Sequence, residues 1–152
     1  MAITLEQFTR RLPSVVRLVN AKIPGFLLVA GKRLEGLQKQ RIFNEGTASD
    51  GSPIGQYSAS YAKFRQNFRS GHQTDYVDLQ LTGDLFKNFQ VLKSGDDIVL
   101  AIPNDKDYLK ATSNEDRFKK TIFEPTEGEE RDTERDFQNN IEQAVERIFL
   151  NL

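Results

Sequence analysis

Leu5, Phe8 and Leu12 recur at helical spacing behind Thr4 and Gln7, a pair that fits a capping box, so the chain opens with a helix that Pro13 is expected to interrupt. Val15, Val16, Leu18 and Val19 continue the apolar pattern, which predicts a second helical stretch over 14–22. Pro24 suits the first turn of a longer helix to about Glu45, on which Leu27, Ala30, Leu34 and Leu37 alternate spacings of three and four. Gly46 is placed to end it as a left-handed cap. The polar stretch "GTASDGSPIG" that follows is turn chemistry with little to bury, and it predicts a long flexible loop over 46–57.

Ser58 or Ser60 can cap the next helix, where Tyr61, Phe64 and Phe68 form an inward stripe beside Lys63, Arg65 and Arg69, and Gly71 closes it. From Tyr76 the period changes to two: Val77, Leu79 and Leu81 alternate with Asp78 and Gln80, predicting a strand over 76–81. A turn at Thr82, Gly83 and Asp84 leads to a hairpin over 89–102, folded about "SGDD" at 94–97. Asp105 can cap a short helix through Tyr108 and Leu109, and Thr121 to Phe123 can form a short strand. Thr126 and Glu129 match a second capping box before a C-terminal helix from about Glu130, with Phe137, Ile141, Ala144, Val145, Ile148 and Phe149 as its apolar stripe.

These elements predict one α+β domain over residues 1–152, in which a small, mostly antiparallel sheet packs against long N-terminal and C-terminal helices. Its expected parts are a helical 1–45, a loop arm 46–57, helix plus sheet over 58–123, and an acidic linker with the last helix over 124–152. The 152 residues suffice for a self-sufficient core, and 38% hydrophobic with 28% charged residues is ordinary for a soluble chain. The N-terminus lacks the basic-then-apolar order of a signal peptide, and Ile23 to Ala30 is short of the roughly 20 residues that span a membrane.

Charge adds an asymmetry that the net value of −1 conceals. Residues 1–71 carry 11 Lys and Arg against 4 Asp and Glu, and residues 72–152 carry 10 against 18. Such halves suit either an internally compensated monomer or a subunit whose basic and acidic faces meet head to tail.

Candidate chemistry is sparse. With no cysteine, disulfides, thiolate metal sites and a Cys nucleophile are excluded. His72 is the one histidine and follows Gly71 in a turn, where an ordinary exposed position is expected over a catalytic one. Asp96, Asp97 and Asp105 could in principle gather a metal for hydrolysis, but the first two fall in a hairpin turn and the following strand adds neither carboxylate nor lysine. Lys63, Arg65 and Arg69 among aromatics also fit a nucleic-acid-binding helix, against a packing role for the same rings.

The order of features from Phe43 to Ile102 carries further information. A helix ending in "RIFNEG", the loop and helix "DGSPIGQYSASYAKFR", then "LQLTGDLFKNFQV" and a Gly-containing hairpin resemble the virion morphogenesis or tail-completion proteins of tailed bacteriophages. The matching positions are Asp50, Gly51, Pro53, Tyr57, Tyr61, Lys63, Leu79, Thr82, Gly83 and Leu85. Ile54 stands where that family often has Trp or Phe. The resemblance implies a non-enzymatic structural protein of the virion neck, without cofactor or metal, joining the portal or adaptor side of the head to the tail as an oligomeric ring. It further implies assembly in the host cytoplasm, portal and tail proteins as partners, and no membrane. On that reading Asp50, Gly51, Pro53, Ile54 and Tyr57 form an intersubunit loop that becomes ordered on a neighbour, and Lys63, Arg65 and Arg69 form a basic face near the DNA channel.

Overall fold

The computed structural model describes residues 4–151. The order of elements is α1 (Leu5–Asn20), α2 (Ile23–Lys39), a π-turn (Gln40–Asn44), α3 (Ala59–Asn67), α4 (Asp84–Asn88), β1 (Gln90–Ser94), β2 (Asp97–Ala101), α5 (Asp105–Phe118) and α6 (Glu127–Leu150). This is a small α+β fold, with one two-stranded antiparallel sheet among the described residues.

Thr4 caps α1 through the expected reciprocal pair with Gln7. Pro13 does not end the helix. It stands on the exposed side, and inward contacts on both sides of it, Phe8 against Phe149 before and the buried Val15 and Val19 after, hold one continuous element in place. The interruption falls instead at Ala21–Lys22, where the chain bends by 45° into α2. No single described helix is long and apolar enough to cross a membrane.

The π-turn matters for packing. The Glu45 amide reaches back to the Gln40 carbonyl, one residue further than in an α-helix, and three consecutive residues, Arg41, Ile42 and Phe43, are all buried. Gly46 follows with φ +64, and a Cβ there would lie 2.7 Å from the Val77 carbonyl oxygen, so this turn accepts only glycine.

The stretch expected to be a mobile arm is a built part of the core. Ala48 and Ile54 are fully buried, Thr47 and Pro53 form a bridge, and the Ser49 amide donates to the Thr121 carbonyl at 2.9 Å. Gly55 lies so close under Phe118 that a Cβ would meet the ring at 2.6 Å. The loop holds few apolar residues, but two of them occupy the centre, and its turns close on its own polar groups, Asp50 accepting from the Ser52 amide at 2.9 Å.

The strand expected over 76–81 does not form. Val77 and Asp78 are buried side by side, which breaks the alternation, and Leu79 has φ +54, outside any strand geometry. Gly83, with φ +80, caps the short helix α4. The hairpin does form, with Val91 opposite Leu100 and a two-residue turn at Gly95 and Asp96. It packs on α2, where Glu35 offers a carboxylate oxygen to the Val91 amide at 2.9 Å and so occupies a backbone donor of β1.

Asn104, rather than Asp105, caps α5, which runs well past Leu109 to Phe118. Thr121 to Phe123 is not a strand either: the Ile122 and Phe123 amides donate to the Glu115 carboxylate at 2.7 and 3.2 Å. The Thr126–Glu129 capping box starts α6 at Glu127. At the centre Ile42, Phe43, Ala48, Ile54, Val77, Leu85, Phe89, Ala111 and Ile122 form one apolar cluster.

Candidate functional site

Helix α3 begins at Ser58, whose hydroxyl accepts from the Tyr61 amide. One turn further the helix turns Arg65 inward. That guanidinium, 1% exposed, grips both oxygens of Asp78 at 2.8 and 3.0 Å and donates from Nε to the Gln73 carbonyl at 3.2 Å. Its Cζ lies over the Tyr57 ring, 4.4 Å from the centroid, a desolvated cation–π contact.

Asp78 is satisfied from every side. Besides Arg65, its oxygens accept from the Tyr57 hydroxyl at 2.9 Å, Gln73 Nε2 at 2.7 Å and the Gln80 amide at 2.9 Å. Burial and then the Asp78 charge push the Tyr57 phenol well above its ordinary pKa of 10, so it stays a neutral donor. The network pins the irregular 73–80 segment, and Gln80 carries it to the core by donating to the Phe43 carbonyl at 2.9 Å.

Above this network lies an open cleft of about 330 Å³ between α3, the 79–85 segment and α5. Tyr57, Tyr61, Leu79, Thr82, Gly83 and Leu85 line it, all positions from the resemblance, with Lys110 and Arg117 of α5 on the far wall. The six positions from the resemblance, up to 28 apart along the chain, therefore meet at one place. Asp107, buried in the first turn of α5, is held below the usual carboxylate range by the Lys110 ammonium, with a further hydrogen bond from Asn88.

The expected intersubunit loop divides in two. Asp50, Gly51 and Pro53 are exposed, while Ile54 is 1% exposed inside its own chain's core and Tyr57 is tied to Asp78. Asp50 is held below its ordinary pKa by hydrogen bonds from Ser52, with Lys120 3.4 Å away. Lys120 also bonds the Ser52 hydroxyl, so the tip is braced from α5's end of the chain.

The expected basic face loses its middle member. Lys63 and Arg69 are exposed, but Arg65 is buried, and of the expected inward stripe Tyr61, Phe64 and Phe68 the middle ring is exposed while Arg65 turns inward in its place. Phe64 is 49% exposed and belongs to a ladder of five rings, Tyr57, Tyr61, Phe64, Phe68 and His72, with centroids 5.3 to 5.9 Å apart. His72 is thus half-buried against Phe68 instead of fully exposed. Asp96, Asp97 and Asp105 are exposed, and among the described residues no three His, Cys, Asp or Glu side chains gather as a metal site.

A second buried pair lies on the other side of the core. Arg41 donates to Glu129 at 2.8 Å and to the Thr47, Ile122 and Glu124 carbonyls at 2.9 to 3.1 Å. Neither pair was legible in the sequence: Arg65 and Phe64 satisfy helical spacing with Tyr61 and Phe68 equally well, and Arg41 reads as one more solvated cation on a long helix. Comparison with protein families, characterised proteins and solved structures finds no match to this chain.

Proposed function

We propose that this chain is a structural, non-enzymatic protein of the neck of a tailed bacteriophage, which joins the portal or adaptor side of the head to the tail as one subunit of an oligomeric ring in the virion. The observation that carries the reading is the convergence of Tyr57, Tyr61, Leu79, Thr82, Gly83 and Leu85 on one cleft. Residues expected to matter together from their order in the chain occupy one neighbourhood, as a shared contact surface requires. The arm itself takes a revised form. A loop anchored by Ala48 and Ile54 meets a neighbour as a preformed ridge, which costs less ordering entropy than a flexible strap. The opposed charges of the two halves, of which Arg33, Arg41 and Arg65 pair with Asp136, Glu129 and Asp78 inside the chain, leave the remaining charges for head-to-tail contacts.

Light scattering after size separation, at low and high salt and with purified portal, adaptor or tail components, tests this. A discrete ring, or a complex with such a component, that is lost when Asp50 and Pro53 are replaced by Lys and Gly supports it. A chain that binds none of these components and stays monomeric with all of them present sinks it.

A second reading, binding of single-stranded nucleic acid, rests on exposed Phe64 between Lys63 and Arg69 on the ring ladder. Its mark would be a salt-sensitive gel shift that weakens in Lys63→Gln/Arg69→Gln.

A further inference from the structure

The two edges of the hairpin differ. Pairing starts from Ser94 opposite Asp97 across a two-residue turn, so Leu92 and Val99 exchange ladder bonds while Val91, Ile98 and Leu100 turn their peptide groups outward. The Val91 amide fixes this phase, because it points away from β2 and donates to Glu35 of α2. That carboxylate covers the outer edge of β1. The outer edge of β2 has no such cover: among the described residues the Ile98 and Leu100 peptide groups have no hydrogen-bond partner.

The strand does not guard this edge either. Asp97–Ala101 holds no lysine and no proline, and its register with β1 runs without a bulge. Its side chains alternate in the ordinary way. Ile98 lies against Gly31 of α2 and Leu100 against the core, whereas Val99, 39% exposed, stands on the outer face opposite Leu92.

We propose that β2 pairs antiparallel with β2 of a second copy, about a two-fold axis at Val99. In that register the strand complements itself: Ile98 of each copy faces Leu100 of the other, and each facing pair exchanges both of its main-chain bonds. Val99 meets Val99 across the axis, which joins the two Leu92–Val99 pairs into one apolar row on a four-stranded sheet. Asp97 faces Ala101, and the acidic turns of Asp96 and Asp97 go to opposite ends, so no carboxylate is set against its own copy. An extended segment of another protein could pair with the same edge. The structure itself, however, holds one strand with an open edge of matching phase, an apolar residue at the axis and no like charge opposed, and that strand is β2. The pairing is independent of the neck reading, since none of residues 90–101 lines the cleft.

Sedimentation equilibrium of the full chain tests the axis at residue 99, an exposed site where substitution should leave the circular dichroism spectrum unchanged. The wild type should dimerise. Val99→Lys and Val99→Asp each set like charges face to face and should raise the dissociation constant by about tenfold or more, and an equimolar mixture of the two should bring it back to within about threefold of wild type. The chain has no cysteine. Facing Cα atoms at such a position lie about 4.5 Å apart, so oxidised Val99→Cys should cross-link as a dimer, whereas Asp97→Cys, its copies about 13 Å apart, should not. A chain of single mass at every concentration overturns the proposal. So do self-association that neither charge alters, a mixture no tighter than its parts, and cross-linking of Asp97→Cys equal to that of Val99→Cys. A larger ring that the Val99 variants leave intact overturns it and keeps the neck reading. A chain that is monomeric alone, yet binds a portal, adaptor or tail component in a way these variants abolish, assigns the edge to that partner and overturns it too.

Discussion

The helical end and the irregular half of this protein bury their residues in opposite ways. Along α1, the first turns of α2 and the last turns of α6, the backbone satisfies itself, yet only Val15, Val19 and Ala144 are buried. The irregular segments 46–57, 72–83 and 119–126 have no ladder of their own, yet contribute Ala48, Ile54, Val77 and Ile122 to the core. A buried loop must find partners for its polar backbone, and here two arginines and a few carboxylates supply them. Arg41 takes three loop carbonyls, Arg65 the Gln73 carbonyl, and Glu115 and Glu129 take the amides of Ile122, Phe123 and Thr126. Regular structure is thus neither necessary nor sufficient for burial. What a loop needs in order to be buried is a partner for each of its peptide groups.

This contrast can be broken most forcefully at Arg65. Replacing it by Ala strands the Asp78 carboxylate in the interior and should cost about 3–5 kcal/mol in urea unfolding. Asp78→Ala should cost a similar amount, and the double variant clearly less than the sum, because the second change removes the group the first left unpaired. An additive double variant would mean that the two do not act as a pair.

Ile54→Ala comes next, at about 3 kcal/mol, because a fully buried side chain leaves a cavity. Had residues 46–57 been a free arm, the same change would move stability by less than about 0.5 kcal/mol, as at a surface site.

At the joint of the two regions, burial opposes the charge of Glu35, but hydrogen bonds from Lys32, Lys39 and the Val91 amide outweigh it and lower its pKa from 4.5 to about 2. A folded pKa below the unfolded one stabilises above pH 4.5, and that share is lost as pH falls towards 2. With solvent screening allowed for, it amounts to about 2 kcal/mol, so the acid limb of a stability-versus-pH curve should flatten in Glu35→Gln.

Gln38 sharpens the comparison from the helical side. It is wholly buried on α2, and neither its amide nitrogen nor its oxygen has a hydrogen-bond partner among the described residues. A helix offers no spare backbone partner to such a group, and Gln38→Leu should raise stability by about 1 kcal/mol. At the small end, Leu5→Ser should shift the unfolding free energy of the monomer by less than about 0.5 kcal/mol, measured at a concentration low enough to prevent association.

Much of this architecture is written in local chemistry. Both capping boxes, the Gly46 turn, the Ser58 cap, the hairpin about Gly95 and the C-terminal helix follow from residues within a few positions of one another, whose interactions act in any context. That Tyr57, Tyr61, Leu79, Thr82, Gly83 and Leu85 meet at one cleft was not readable from their order in the chain. What only the tertiary structure decided is where long-range partners were chosen. Arg65 turned inward because Asp78, 13 residues away, offered a carboxylate. Arg41 did so because Glu129 and three carbonyls waited up to 88 residues on. The same choices converted the expected strand at 76–81 into a pinned loop and the expected arm into core. Spacing along a chain records which side chains share a face, but which face is buried depends on the groups that arrive from elsewhere to pair with it.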